Sequence, residues 1–396
     1  MKPKSSQARK KPAARRQTGK VHMPATASGL TSQAGLIPVI KFLQRIGFDK
    51  TLNQTVPHQR GDNADYQLAD GAFLALVGMI GGAGSIAKLC VVWSDSALRK
   101  IAGWVKFPVE TTIGRLFKEV TEKEISQFES LNHRLRGQIW RMANRAGVSK
   151  VGLNRIQWVD IDSTVDSVCG TQEGAAKGFN PKKKGALSYH PQLAFLVGSK
   201  EILQAWFRTG SAYTSNGIVE FVKQLLAHLP NRMRIIVRAD SGYFVGALLD
   251  LLDAYGHGYL IKVKLKNGVA LLTQQHWTAI SGQPDWEQCT FDYRCGDWQA
   301  TRRFVAVRRR LPKKESPQLD LLETTEYDYF CYVTTEALTP WQTIKNTANA
   351  RLAKPGSKKP KGKWAWERYE QPVFWQMLLY STARYWLTIP YAGWPS

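Results

Sequence analysis

A mixed α/β sheet preceded by a helical region is the fold class that this 396-residue sequence predicts. Three observations predict it. Apolar residues recur at helical spacing through residues 35–145. The period turns to that of strands at about Asn154. Beyond that point strand-like and helix-like segments alternate as far as Lys264.

Taken in order, residues 1–28 are a basic arm. Eight of the first 20 residues are Lys or Arg, among them Lys10, Lys11, Arg15 and Arg16, and none is acidic. Pro, Ser, Ala and Thr fill the rest, so the arm is expected to stay disordered until it meets an anion. Residues 29–150 are predicted to be a helical DNA-binding region. Leu36, Val39, Phe42, Leu43 and Ile46 repeat at helical spacing, as do Leu68, Phe73, Leu74, Leu76 and Val77. The glycine-broken apolar run 71–87 is short for a membrane span and reads as a buried helix. In residues 93–116, Ser94 or Asp95 can cap one helix and Glu110, Thr111 or Thr112 the next, with a turn at 103–108 between them. Such a pair resembles a helix-turn-helix, and generic helical packing accounts for it equally well.

Residues 151–266 carry the main sheet. RIQWVDIDSTVDSV, SYHPQLAFLV and EILQAWFRTG read as three successive strands. An amphipathic helix is predicted at 216–229, a buried strand (RIIVR) at 234–238, a helix at 248–255 and a strand (YLIKVK) at 259–264. Residues 267–340 hold CTFDYRC, ATRRFVAVRRR and YDYFCYVTT with few helix signals, which predicts a β-rich insertion.

The charge narrows the partners. Lys and Arg number 55 against 31 acidic residues, a net +24. Without the first 20 residues the balance is still 47 against 31, so the excess is not confined to the arm. Such a field favours polyanions through phosphate contacts and counterion release. Charge alone is equally compatible with a ribosomal or anionic-membrane surface. Five scattered cysteines without CxxC spacing argue against a disulfide framework or zinc site and fit a reducing cytosol. No apolar segment follows the basic start, so a secretory signal is not expected, and the chain reads as soluble.

The chemistry points to carboxylates. Asp160, Asp162 and Asp166 alternate with apolar residues, and residues two apart on a strand share a face, so Asp160 and Asp162 project together. Asp240 directly follows a buried strand. Acidic groups at strand ends suit hard cations such as Mg²⁺, and two such ions can activate a nucleophile and stabilise the leaving oxygen of a phosphodiester. Against this stands the plainer reading, in which each Asp caps a turn.

Four motifs carry a resemblance: DIDST (160–164), GxQEGAxxGFNP (170–181), SYHP (188–191) and RADSGY (238–243). Together they resemble bacterial insertion-sequence transposases of the DDE class, in the branch with a Tyr-Arg-Glu-Lys signature, over about residues 29–343. The resemblance implies an RNase H-like catalytic core interrupted by a β-rich insertion. It implies Mg²⁺- or Mn²⁺-dependent cutting and joining of DNA, with two ions in an intact site. Asp162 then maps to the first acid, with Asp160 as neighbour and possible ligand, and Asp240 to the second. Gly178, Asn180, Tyr189 and His190 match family positions near the site. Lys182, Lys183, Lys184 and Arg238 join Lys10, Lys11, Arg15 and Arg16 as candidate DNA contacts. The implied partners are double-stranded transposon ends and target DNA, with a synaptic homodimer. The implied location is the bacterial cytoplasm at the nucleoid, with no membrane.

The third acid of that pattern, expected within YxxRxxxExxxxxxK, is absent from this reading frame. After Trp341 the sequence loses helical patterning, and five of the 14 Trp residues fall between positions 364 and 394. Joining the last base of each codon to the first two of the next makes residues 345–361 compatible with KYGQRATCETWIEEAK, which holds the signature at family spacing. Residues 341–396 are therefore read as an out-of-frame tail, with the shift at or shortly before Asn346. Recoding at a run of A and an inactivating mutation both account for it. Glu367 and Glu370 of the printed tail are not expected to be catalytic. Two other readings stand beside an impaired transposase: a binding-only product that competes with the intact enzyme, and an RNase H-like nuclease unrelated to transposition.

Overall fold

The computed structural model describes residues 31–348, except 59, 62, 150, 152–154, 171, 181–182, 266–267, 297 and 312–325. Lys10, Lys11, Arg15, Arg16, Lys182, Glu367 and Glu370 lie outside the described residues, as does the chain beyond Ala348. The chain divides into a helical unit that ends at Arg141 and an α/β unit that starts at Met142.

The helical unit contains α1 (Leu36–Arg45), α2 (Phe48–Thr55), α3 (Leu68–Ile80), α4 (Ile86–Trp93), α5 (Ser96–Ala102), α6 (Glu110–Lys118) and most of α7 (Glu122–Arg145). The apolar run forms α3, and Leu68, Phe73, Leu74, Val77 and Met79 are all buried on it. The run breaks at the Gly81–Gly84 stretch before α4 resumes. Each such side chain contributes roughly 1.5–3 kcal/mol when taken from water. Trp93 closes this core: its ring meets Phe73, Trp104 and Phe107, and its Nε1–H donates to Leu74 O at 3.0 Å. Asp95 caps α5 by accepting from Leu98 N, and Gly103 ends it in the left-handed region, where a side chain would be strained. The α5–turn–α6 pair is therefore present, but α6 starts after Val109 with no side-chain capping bond, so none of Glu110, Thr111 and Thr112 is its cap. Among the described residues no helix is long and apolar enough to cross a membrane.

The α/β unit is built from β1 (Gln157–Ser163), β2 (Asp166–Ser167), β3 (Ala176–Lys177), β4 (Leu187–Tyr189), β5 (Gln192–Leu196), β6 (Glu201–Trp206), α8 (Ile218–Ala227), β7 (Ile235–Ala239), α9 (Gly246–Ala254), β8 (Gly258–Lys262), α10 (Val269–Thr273), β9 (Thr278–Ile280), β10 (Gln283–Tyr293), β11 (Arg302–Arg310), β12 (Tyr327–Thr334) and α11 (Pro340–Ala348). Nine strands form one sheet in the order β6-β5-β1-β7-β8-β12-β11-β10-β9. Strands β1, β7 and β8 run parallel, with α9 joining β7 to β8, whereas β5 is antiparallel to both β1 and β6, its neighbours on either side. Three antiparallel strands followed by two parallel ones, in spatial order 3-2-1-4-5, make an RNase H-like core. The centre of the sheet is the driest part: Ile235, Ile236 and Val237 of β7 are all buried, as a two-sided parallel strand requires.

Three features differ from the expectations. The segment SYHPQLAFLV is not one strand; it breaks at His190–Pro191 into β4, which joins a small β2-β4-β3 sheet, and β5 in the main one. The β-rich insertion extends the main sheet, because β12 pairs antiparallel with β8 and offers its other edge to β11. The chain after Trp341 keeps helical structure through Ala348. Ile344 of α11 is buried against Leu260, Val305, Val307 and Tyr332, with Trp158 and Trp341 alongside.

Candidate active site

Parallel pairing sets the geometry. Strands β1 and β7 are registered Asp160↔Arg238 and Ile161↔Ala239. One residue further, Asp162 and Asp240 stand at neighbouring strand ends, where adjacent backbones lie about 4.8 Å apart. Each carboxylate is oriented by a backbone amide. Asp162 Oδ1 accepts from Ser163 N at 2.8 Å, and Asp240 Oδ1 accepts from Gly242 N at 2.8 Å as the cap of a single 3₁₀ turn.

Asp160 does not join them. Its two oxygens accept from Arg238 Nε and Nη2, both at 2.7 Å, and the carboxylate is buried. The remaining Arg238 nitrogen, Nη1, donates to Asn346 O of α11, and the guanidinium lies 5.7 Å from the Trp158 ring centroid. In this structure Asp160 thus lies in a buried ion pair, and Arg238 is held against the sheet. The cause is register: a carboxylate and a guanidinium directly opposed on adjacent strands satisfy one another.

A hydrogen-bonded layer backs the two strand ends. His190 Nδ1 lies 2.6 Å from Ala212 O, so it carries the proton and donates. Its Nε2 is then the acceptor for the Ser163 hydroxyl at 3.0 Å. Burial lowers the His190 pKa and the nearby Arg208 adds to the fall, against the Ala212 carbonyl, so the ring is neutral. Ser163 Oγ also lies 3.5 Å from Thr214 Oγ1. A methyl group placed on Gly242 would come 2.8 Å from Thr214 Cγ2 and 3.0 Å from Asp240 Oδ1, which shows how closely Thr214 packs on the second strand end. Tyr243 is fully buried beneath. Burial raises its pKa far above the ordinary range, and the Asp162 and Asp240 charges push the same way. Its hydroxyl sits near Ser163, which opposes that rise, but outside hydrogen-bonding geometry with any described group.

Arg208 braces the loop that supplies this layer. It donates from Nε to His190 O at 3.1 Å and from Nη1 to Tyr213 O at 3.1 Å and Asn216 O at 3.0 Å. On the other side, Asn180 Nδ2 donates to Ser167 Oγ at 2.8 Å, its Oδ1 accepts from Lys183 N at 2.9 Å, and Tyr189 Oη donates to Glu173 O at 2.6 Å. Gly178 lies against Gly210: a Cβ there would fall 1.7 Å from Gly210 O. The family-matching residues of this stretch thus anchor the loops around the site. Lys183 and Lys184 are exposed. Sequence reading missed Arg208, Thr214 and the Ala212 carbonyl. Their only signal was a turn-forming run, RTGSAYTSN, between a strand and an amphipathic helix.

The donor set is of the kind a hard divalent cation takes, two carboxylates fixed side by side. No cluster of three or more His, Cys, Asp or Glu side chains placed to hold a metal occurs among the described residues. Among the described residues the fit to such an ion therefore rests on Asp162 and Asp240.

The chain matches the family described as "Transposase DDE domain group 1" over residues 14–323. No curated protein matches it. Among solved structures it is similar to a piggyBac transposase synaptic complex with hairpin DNA, at 10% identity and TM-score 0.37, covering 90% of this chain and 75% of that one. A Drosophila P element transposase strand transfer complex is similar at 10% identity and TM-score 0.25, covering 56% of this chain and 42% of that one. A Mos1 mariner paired end complex with Mn is similar at 10% identity and TM-score 0.19, covering 58% and 78%. At such distances none of the three transfers a residue role.

Proposed function

The chain belongs to the DDE transposases, a family of DNA strand-cleavage and strand-transfer enzymes that use divalent metal ions, and from that premise we propose that it is the transposase of a bacterial insertion sequence, in the branch with the Tyr-Arg-Glu-Lys signature. Asp162 and Asp240 are the two acids of its site. The observation that carries this reading is their placement at the adjacent ends of β1 and β7, one residue past the registered pair Ile161↔Ala239. They would hold Mg²⁺ or Mn²⁺, which when bound supplies Lewis-acid activation of a water or 3′-hydroxyl and stabilises the leaving oxygen. The chain's own contribution is orientation. Backbone amides aim both carboxylates, and neutral His190 fixes the Ser163 hydroxyl beside Asp162.

The printed product lacks the third acid, and we read its C-terminal tail as shifted by one base. The course of α11 supports this. Trp341 packs on Trp286 of β10, Ile344 on β8 and β11, and Asn346 O meets Arg238 of β7. Successive turns thus advance across the sheet toward β7 and β1. A helix continued in the alternative frame would carry its Glu, at the codons of Ala353 and Lys354, two turns further that way. With two of three carboxylates, cleavage falls severely; the alternative reading is a binding-only product that occupies transposon ends and competes with the intact enzyme. Its ligands are double-stranded transposon ends and target DNA, held through Lys10, Lys11, Arg15, Arg16, Lys182, Lys183 and Lys184 in a synaptic homodimer at the bacterial nucleoid.

The test is to read all frames of the gene through the codons of residues 340–396, then purify both the printed and the frame-restored products. With DNA from the element's ends and Mg²⁺, the restored protein nicks and the printed one binds without nicking. Asp162→Asn or Asp240→Asn abolishes nicking in the restored protein and spares binding. Nicking that survives Asp240→Asn overturns the site, and equal nicking by the printed chain overturns the impairment.

A further inference from the structure

Arg238 makes one contact that its ion pair does not need. Its Nε and Nη2 satisfy both oxygens of Asp160, at 2.7 Å each. Its third donor, Nη1, leaves the strand and bonds to the main-chain oxygen of Asn346 in the last turn of α11, 108 residues further along the chain. A guanidinium is planar and its donors keep fixed angles, so the fork on Asp160 also fixes where Nη1 points. Trp158, 5.7 Å from the guanidinium, packs in addition against the apolar cluster around Ile344. One side chain thus ties β1, β7 and α11 together.

The contact lies on the face that matters. Residues two apart on a strand share a face, so Asp160 and Asp162 project alike. Arg238 and Asp240 do the same, because the backbone stays extended at Asp240. Since Arg238 meets α11, that helix lies over the face from which the two acids project.

The ion pair alone does not account for the arrangement. A buried Asp–Arg pair adds little net stability over well-packed apolar residues, because desolvation offsets the attraction. What a rigid bracket supplies is position. Trp341 is seated on Trp286, and Ile344 on Leu260, Val305 and Val307. Those seats are one turn apart, and a helix held only there can swing about them. A pin at Asn346 removes the swing. The displacement it prevents grows along the chain, since the codons of Ala353 and Lys354 follow roughly 10–12 Å beyond Asn346 on a continued helix. The acceptor is a main-chain oxygen with two lone pairs. The contact therefore depends neither on the side chain at 346 nor on whether the helix goes on.

We propose that Arg238 is a positioning residue: through Asn346 O it aims the chain beyond α11 at the Asp162–Asp240 strand ends. The inference rests on the reading given above, in which the frame-restored chain brings a third carboxylate there, and adds the device that sets its place. Arg238 acts through the helix and stays outside the chemistry.

The probe is Mn²⁺ alone, titrated without DNA into the full printed and frame-restored chains, with free Mn²⁺ read by electron paramagnetic resonance. Arg238→Lys keeps a cation beside Asp160 and gives up the fork that directs the third donor. The restored chain binds Mn²⁺ more tightly than the printed one. Arg238→Lys weakens binding by the restored chain about tenfold, the lower end of what losing a support behind a metal ligand costs, and leaves the printed chain as it was. Amide exchange is a second readout that needs no metal. In the printed Arg238→Lys chain, residues 345–347 exchange faster while residues 235–237 stay protected. Unaltered Mn²⁺ affinity in the restored variant overturns the inference alone, as does unaltered exchange in α11. Equal weakening of both chains also overturns it, because Arg238 then acts on the two aspartates and not through the helix. A restored chain that binds Mn²⁺ no more tightly than the printed one overturns the third-acid reading, and the inference with it.

Discussion

Asp160 and Arg238 face one another across the parallel strands β1 and β7 and are joined by two hydrogen bonds of 2.7 Å. Both side chains are largely out of water, 10% and 17% exposed. Removing one partner of such a pair strands the other charge, at a cost of roughly 3–5 kcal/mol. Asp160→Ala is therefore expected to lower stability by about 3 kcal/mol in urea unfolding, the lower end because Arg238 keeps some solvent contact. The Asp160→Leu/Arg238→Met double variant regains most of it. If Asp160→Ala unfolds at the wild-type midpoint, the pair has no structural role.

His190 titration should be visible in the stability of the fold. Its pKa is lowered in the folded protein, so below the ordinary histidine value of about 6.5 the unfolded chain binds the extra proton and the folded one resists it. Stability is then undiminished above that pH and lost as the pH falls below it. In His190→Gln this part of the acid loss disappears. His257 is also depressed by burial and contributes in both proteins, so it cancels in the difference. Melting curves between about pH 5 and 8 decide it, and parallel acid slopes in the two proteins would refute it.

Gly178→Ala is expected to destabilise by about 3 kcal/mol or more, since the clash is with backbone that cannot swing aside. The same change at Gly185, where a Cβ meets nothing within 4 Å but φ is +76°, should cost only about 1 kcal/mol of backbone strain. Thermal melts of the two variants check the order.

Ile344→Ala tests whether the chain through α11 is native structure. Ile344 is 5% exposed among Leu260, Val305, Val307 and Tyr332. Truncating a buried Ile in such a site costs roughly 2–5 kcal/mol. A tail that merely rests on the surface would give no change in the denaturant midpoint.

Removing Arg302 should loosen the junction between the inserted strands and the core. Its guanidinium, 3% exposed, bonds to Asp250 and Asp253 of α9 and lies 4.9 Å from the Trp298 ring centroid. Arg302→Met keeps the stem and deletes the charge, and amide exchange in β10–β12 should quicken ahead of that in β1 and β7. Uniform exchange across the sheet would show that the insertion is not separately anchored.

Local order was legible wherever a residue's role depends on its near neighbours in the chain. The alternation of Val159 and Ile161 with Asp160 and Asp162, the apolar block before Asp240, the Asp95 cap and the Gly103 stop each act over a few residues, so period and capping chemistry expose them. What the same reading could not show is that Arg238 and Asp160 meet. An arginine in a basic chain looks like a phosphate ligand, and an aspartate two residues from another looks like its companion. Which of them is spoken for depends on the register of strands 78 residues apart.

By itself, then, the sequence determined the mixed α/β class, the basic character and the two aspartates at strand ends. Tertiary structure alone decided that Asp160 belongs to Arg238, that a loop of small polar residues brings Ala212 and Thr214 onto the site, that the inserted strands extend the main sheet, and that Arg238 reaches the backbone of α11. The division has one physical cause. Secondary structure follows from short-range periodicity written along the chain, whereas the pairing of buried charges is set by contacts between segments that only the folded chain brings together.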